Sequence, residues 1–447
     1  MHIEALVTHV VASCAIIIGL AFVFGAALRR LGQPEVIGQI FAGIALGPTI
    51  LGRLPGHLET ILIPRQVVPF LTVVSQIAIV LFLFAVGYEL DLRVLRQQRR
   101  VVPIVAIMAF AAPMMLGGGS AFALDSLYLP SGSGALHGAA FVAFIAVAMS
   151  ITAVPVLASI IGERGVAGTM PGVVAMTSAG MIDALGWLAL IAVLLIGDSS
   201  SAGHHSLPIT LALFGGYVLV MVFGVRPALR LWLRRRGALV RYKVPVIVTV
   251  AIASAWATAA LGLHVIFGAF LAGLIMPRTV DGAPDPELDR PLQETGNLLL
   301  PMFFVVAGLP VDIGGLGPRD LALLGIVCAI AILGKIGGGT LGARLAGMTR
   351  RDATVVGVML NTRGLTELIV LNIGLQGGII DRRLYTVLVI MALLTTALTG
   401  PLLTLLRFPR PAETVEERSI ASRSAAPPRP SASVRRTTIN ERQLDVG

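Results

Sequence analysis

PGVVAMTSAGMIDALGWLALIAVLLI, residues 171–196, is long enough to cross a membrane and carries one ionisable side chain, Asp183, near its middle. About 20 apolar residues suffice for a helical crossing. LALLGIVCAIAILGKIGGGTLGA, residues 321–343, repeats the arrangement with Lys335, one of two lysines in the chain. On insertion scales each such group costs at least ~2.5 kcal/mol at that depth, so it is kept there by a partner or a task. Lipid offers no hydrogen-bond partner to an exposed peptide group, so these runs must be helices.

The rest of the chain agrees. Of 447 residues, 56% are hydrophobic and 13% charged, and the mean hydropathy is +0.88. That is far too apolar for a soluble globular protein of this length. The formal charge of +10 comes from arginines in short loops and in the C-terminal stretch, as insertion topology and anionic lipid demand. The expected partner is therefore the lipid bilayer, and no nucleic acid. Cys14 and Cys328 both fall inside apolar runs, which leaves neither a disulfide framework nor a Cys-rich metal site. No basic residue precedes the first apolar run, while Arg29 and Arg30 follow it. It reads as a retained span rather than a signal peptide.

Thirteen apolar segments recur, at 5–28, 36–51, 67–88, 101–124, 136–161, 170–196, 207–231, 244–262, 264–277, 295–310, 319–343, 353–376 and 384–406. The expected fold is an all-α polytopic membrane protein of about 13 transmembrane helices. Nineteen arginines and lysines follow odd-numbered spans, among them Arg93, Arg96, Arg234, Arg235 and Arg236, against five after even-numbered ones. This positive-inside bias places the N-terminus outside and the C-terminus in the cytoplasm. From Pro411 the composition turns to Pro, Ser, Arg and Glu, the signature of disorder. The chain thus divides into a transmembrane domain, 1–410, and a disordered cytoplasmic tail, 411–447.

Two spans contain helix breakers. The fifth holds SITAVP, residues 150–155, with Thr152 and Pro155, and the twelfth holds NTRGLTE, residues 361–367, with Asn361, Thr362, Arg363 and Glu367. If six-span halves, 1–6 and 8–13, are related by inverted symmetry about span 7, the two interruptions correspond. Paired broken helices are the best sequence pointer to a transporter's binding site, because they free carbonyls and amides at the midplane. For the fifth span a plain proline kink, with Thr152 bonding back to its own backbone, is an equal alternative. The second interruption, with an Arg and a Glu inside the membrane, is harder to read as a kink.

A buried carboxylate can hold either a proton or a metal ion, so Asp183 offers a mechanism for exchange, with a structural salt bridge as the alternative. Glycines flank Lys335 and allow close approach of another segment. As proton carrier or structural counter-ion, Lys335 stays undecided by sequence. Glu89 and Asp91 read as an interfacial charge cluster beside Arg93 and Arg96. His2, His9, His204 and His205 have no metal-ligand spacing and read as solvent-facing.

Four motifs extend this reading: LGQPEVIGQIFAGIALGP (31–48), FGAFLAG (267–273), PMFFVVAGL (301–309) and MLNTRGLTEL (359–368). In this order, over residues 5 to 407, the chain resembles the monovalent cation:proton antiporter-2 superfamily, the sodium/proton exchanger domain. The resemblance implies two inverted six-helix repeats with two discontinuous crossing helices. It further implies a dimerising scaffold of spans 1–3 and 8–10, a mobile core of spans 4–6 and 11–13, and elevator transport by a homodimer. Asp183 then matches the ion-binding aspartate of the sixth span. Lys335 matches the lysine that pairs with an acid, Thr152 and Pro155 the first broken helix, and Arg363 and Glu367 the second crossing region. Members often carry Asp-Asp or Asn-Asp at the sixth-span site, but here the first position is Ile182. That departure leaves stoichiometry, electrogenicity and the pairing of Lys335 open, including a pairing with Asp183 itself. The cytoplasmic nucleotide-binding domain of glutathione-gated potassium efflux relatives is not matched, so that gating is not expected.

The function expected is a plasma-membrane antiporter of Na+ or K+ and H+, in which Asp183 and Thr152 bind and Lys335, Arg363 and Glu367 compensate charge. Asn361, Thr362 and Pro155 shape the crossing. No cofactor is expected, and no metal beyond a transported alkali cation. Sodium-coupled symport of an organic anion, with a place for the anion at Arg363, is the rival within transport. A channel or sensor without exchange is the rival outside it. No nucleophile, metal cluster or cofactor signature points to an enzyme.

Overall fold

Each of the thirteen apolar segments forms a helix or a pair of helices. A computed structural model describes residues 3–56, 58–89, 100–128, 135–197, 207–233, 242–261, 265–278 and 285–408. Asp91, Arg93, Arg96, His2, His204, His205 and the tail from Pro411 lie outside the described residues. The helices are α1 Ile3–Arg30, α2 Glu35–Leu46, α3 Val68–Glu89, α4 Val101–Tyr128, α5a Ala135–Ser150, α5b Val154–Glu163 and α6 Met170–Gly197. Next comes α7, Leu207–Leu219 continued by a π-helical turn Val220–Val225 into Arg226–Leu233. The second half holds α8 Lys243–Ala260, α9 Val265–Ile275, α10 Pro286–Gly308, α11 Pro318–Leu345, α12a Arg350–Met359, α12b Leu365–Gln376 and α13 Arg382–Leu405.

Eleven helical stretches among the described residues are long and apolar enough to cross a membrane, and two shorter apolar helices, Val265–Ile275 and Leu365–Gln376, bring the positions to thirteen. Most boundaries differ from the sequence reading by a few residues, and the start of α10 differs most. α10 starts at Pro286 rather than near 295, because the Asp285 carboxylate accepts from the Glu287 amide at 3.1 Å and Pro286 suits the first helical position. Thr349 and Asp381 cap α12a and α13 in the same way.

The packing repeats with an offset of seven helices. α1 lies on α2 as α8 lies on α9, and α2 on α10 as α9 lies on α3. Similarly, α4 lies on α5a as α11 lies on α12a, and α4 on α6 as α11 lies on α13. Seven is odd, so each helix and its counterpart enter from opposite faces, as an inverted repeat requires. The heavily packed pairs fall into two sets, α1–α3 with α8–α10, and α4–α6 with α11–α13. Helix contact between the sets is concentrated where α10 meets α12b. A buried hydrogen bond also joins them, from Tyr385 Oη on α13 to the Ala307 carbonyl on α10 at 2.6 Å.

Glycines set the depth of the central pair, α4 and α11. A Cβ at Gly334 would come within 2.8 Å of Pro113, one at Gly338 within 2.6 Å of the Met108 carbonyl, and one at Gly342 within 2.9 Å of Val105. On its other side Gly339 meets Gly357 of α12a, 2.9 Å from a built Cβ. This small-residue spacing lets α11 wedge between α4 and α12a. It carries Lys335 to the centre of the second helix set.

Candidate functional site

Two helices are interrupted, and their interruptions meet. α5a ends at Ser150, residues 151–153 are non-helical with Ala153 extended, and α5b restarts at Val154. α12a ends at Met359, and α12b restarts at Leu365 after Gly364, whose φ of 154° and ψ of −114° favour glycine. The two non-helical pieces are joined by the Ala153 amide donating to the Thr362 carbonyl at 3.2 Å. Of the alternatives left open by the sequence, the structure has a true break in the fifth span. Thr152 does not bond back to its own helix; its hydroxyl donates across the crossing to the Leu360 carbonyl at 3.3 Å.

The last carbonyls of a helix have no partner within it and carry about −0.5 of a charge. At α5a two buried cations supply the missing donors. Arg363 Nη1 donates to the Ala148 carbonyl at 3.3 Å and Nη2 to the Met149 carbonyl at 2.8 Å. Lys335 Nζ donates to the Ser150 carbonyl, to Thr152 Oγ1 at 2.7 Å and to the Ala109 carbonyl at 3.4 Å. Ala109 lies four residues before Pro113 inside α4, so its carbonyl has lost the amide that a continuous helix would give it. The three protons of the ammonium therefore find three acceptors.

The end of α12a is capped differently, by neutral donors. The Asn361 amide serves Val358 at 3.2 Å, and the Thr362 amide and hydroxyl serve Met359 at 3.3 and 3.0 Å. Asn361 Nδ2 reaches the Thr395 carbonyl at 3.0 Å. Thr396 Oγ1 accepts from the Arg363 amide at 2.9 Å and donates to the Arg363 carbonyl at 2.8 Å. Arg363 also pairs with Glu367, Nη1 to Oε1 at 2.9 Å, with both side chains essentially sealed from solvent.

Asp183, 6% exposed, sits in the middle of α6 beside the start of α12b. The Thr366 hydroxyl and the Lys335 ammonium are close enough to act on its carboxylate. The second carboxylate oxygen, Oδ1, has no partner among the described residues. Thr366 stands at the second position of its helix, where the free amides and the dipole favour negative charge. The residue before Asp183, Ile182, is fully buried among apolar neighbours and contributes no polar atom.

All eight residues singled out from the sequence lie in or beside this crossing, but their partners differ from expectation. Lys335 is in no ion pair among the described residues, and its ammonium is spent on backbone and hydroxyl oxygens. Pro155 is not at the break; it occupies the second position of α5b, where it needs no hydrogen-bond partner. Thr152 Oγ1 is committed to Lys335 and Leu360, which leaves one lone pair. Sequence reasoning missed Thr366, Thr395 and Thr396. The adjacent threonine pair inside the apolar thirteenth span was the available signal. Among the described residues no group of His, Cys, Asp and Glu could hold a metal ion by itself.

A family model described as "Sodium/hydrogen exchanger, transmembrane" matches residues 18–408. The Na(+)/H(+) antiporter NhaS4 of Synechocystis is 36% identical over 409 residues, covering 90% of this chain and 98% of that protein. The K(+)/H(+) antiporter 1 of Saccharomyces cerevisiae is 34% identical over 379 residues, 83% of this chain but 43% of the relative. The chain thus spans less than half the length of that protein. A solved structure of the sodium proton antiporter MjNhaP1 from Methanocaldococcus jannaschii matches with a TM-score of 0.64, covering 91% of this chain and 100% of that one at 14% identity. At that identity the likeness shows a shared fold.

Proposed function

The chain belongs to the sodium/hydrogen exchanger transmembrane family, and from that premise we propose that it exchanges Na+ or K+ for H+, with Asp183 binding cation and proton in turn. The observation that carries this reading is the unpartnered Oδ1 of a buried carboxylate at the crossing of two broken helices. A lone oxygen there accepts a proton or ligates an alkali cation, and the two compete because they need the same electrons. Thr366, the lone pair left on Thr152 and midplane carbonyls are the further oxygens within the crossing. Relatives named for Na+ and for K+ support a monovalent cation as substrate.

Arg363 and Lys335 hold α5a to the crossing by neutralising its C-terminus, and Glu367 balances Arg363. The site then contains two buried positive and two buried negative side chains when Asp183 is ionised. Engagement of both terminal nitrogens of Arg363 speaks against its serving as an anion site, and so against organic-anion symport. In our reading α1–α3 and α8–α10 form a dimerising scaffold in the plasma membrane. The set α4–α6 and α11–α13 moves past it as an elevator, with the N-terminus outside and the C-terminus in the cytoplasm. Asp183→Asn keeps the shape and removes the exchangeable charge. It should abolish cation-evoked proton movement in proteoliposomes while the protein purifies as a well-folded species. Retained transport in this variant would refute the assignment.

A further inference from the structure

We propose that a cavity between α3, α9, α10 and α12b is the route by which the cation enters from the membrane face opposite the arginine-rich loops. Its mouth consists of the uncharged amides Gln76, Asn372 and Gln376, and its floor is an apolar constriction of Ile79, Phe303 and Ile369. The proposal rests on the exchange reading above and names the residues through which the cation reaches Asp183.

Helix register connects the cavity to the site. On α12b, Thr366, Ile369, Ile373 and Gln376 follow one another at steps of three and four, so they share a face. Thr366 lies beside Asp183, and the other three line a small cavity with about 20 Å³ open to the centre of a water molecule, room for about one water. At ~1.5 Å rise per residue, Gln376 lies roughly 15 Å further along the helix than Thr366. The opposite wall is equally one-sided. Up to Gly87, α3 carries only three polar side chains, Thr72, Ser75 and Gln76. Their spacing puts them on one helix face, and all three line the same cavity.

Polar groups that merely glued α3 to α12b would bond across the gap. Instead Thr72 Oγ1 returns to the Val68 carbonyl at 3.0 Å and Ser75 Oγ to the Thr72 carbonyl at 2.8 Å. On the facing helix Gln376 Nε2 donates to Asn372 Oδ1 at 2.8 Å. No described hydrogen bond links the two stripes. The remaining amide groups face the cavity, where they can exchange bonds with water and with a partly hydrated cation. Being neutral, they do not trap the cation by charge. Ile79, Phe303 and Ile369, which line the same cavity, are 3%, 2% and 2% exposed and form its apolar floor.

The test is thiol labelling of the full chain in proteoliposomes, with Cys14→Ser and Cys328→Ser as background. A charged, membrane-impermeant methanethiosulfonate reagent is added to single variants Gln376→Cys, Asn372→Cys, Gln76→Cys and Ile369→Cys. Val73→Cys, on the exposed face of α3, is the lipid control. Gln376→Cys, Asn372→Cys and Gln76→Cys should react from one side only, and exchange in each should be lost relative to the same vesicles before modification. Ile369→Cys should react far more slowly and Val73→Cys not at all. If the mouth positions do not react from either side, or react while exchange continues, the route is wrong. Vesicles whose unmodified protein shows no exchange would fail the parent reading instead, and the labelling pattern would still decide whether water reaches the cavity.

Discussion

Arg363 is the largest side chain buried below 2% exposure. Its guanidinium reaches two carbonyls of α5a and one oxygen of Glu367. Removing one member of a buried pair leaves the other charged and unpartnered, a cost of about 3–5 kcal/mol, whereas replacing both with apolar groups is often near neutral. Arg363→Met should therefore lower thermal stability more than the double change Arg363→Met with Glu367→Leu. Melting curves for the two singles and the double, measured in detergent, give the coupling directly. Charge at this depth made Asp183, Lys335, Arg363 and Glu367 legible in the sequence, because lipid penalises charge so heavily. Their partners were not legible. Lys335 depends on the carbonyl that Pro113 frees some 220 residues earlier in the chain, and Thr366 gains its role only from the fold that brings α6 to α12b.

The two broken helices show which part of an element is written locally. The polar run at 361–367 cannot continue a membrane helix, and Gly364 alone permits the backbone turn into α12b. In the fifth span the proline drew the eye, yet the break precedes it and is held by Thr362 and Lys335. Pro155→Ala should thus preserve the crossing and change stability by no more than about 1 kcal/mol. Exchange rate and melting temperature close to those of the parent would be the expected result. The boundary of α10 was also missed, because its first two turns are polar and hydropathy does not detect a capped helix at a membrane surface.

At the scale of the whole molecule, the thirteen spans follow from hydropathy, since every apolar run had to become a helix. Their division into two packed sets did not, since it depends on contacts between halves some 200 residues apart. Tyr385 crosses the boundary between the sets with a bond to Ala307. Tyr385→Phe removes one neutral hydrogen bond, worth about 0.5–1.5 kcal/mol, while leaving shape intact. If the sets move against each other, this variant should shift exchange rate and apparent cation affinity together, by up to about tenfold. A transport assay against cation concentration would read both. Binding of cation and proton to one carboxylate also requires protons on the cation's side to raise its apparent Km without lowering the maximal rate. The most direct measurement is pH-dye fluorescence in proteoliposomes of the wild-type protein, adding Na+ and then K+ at several pH values with membrane voltage clamped. Cation-evoked proton efflux with competitive pH dependence is the predicted result. Well-folded protein that moves no protons in response to either ion would contradict the account.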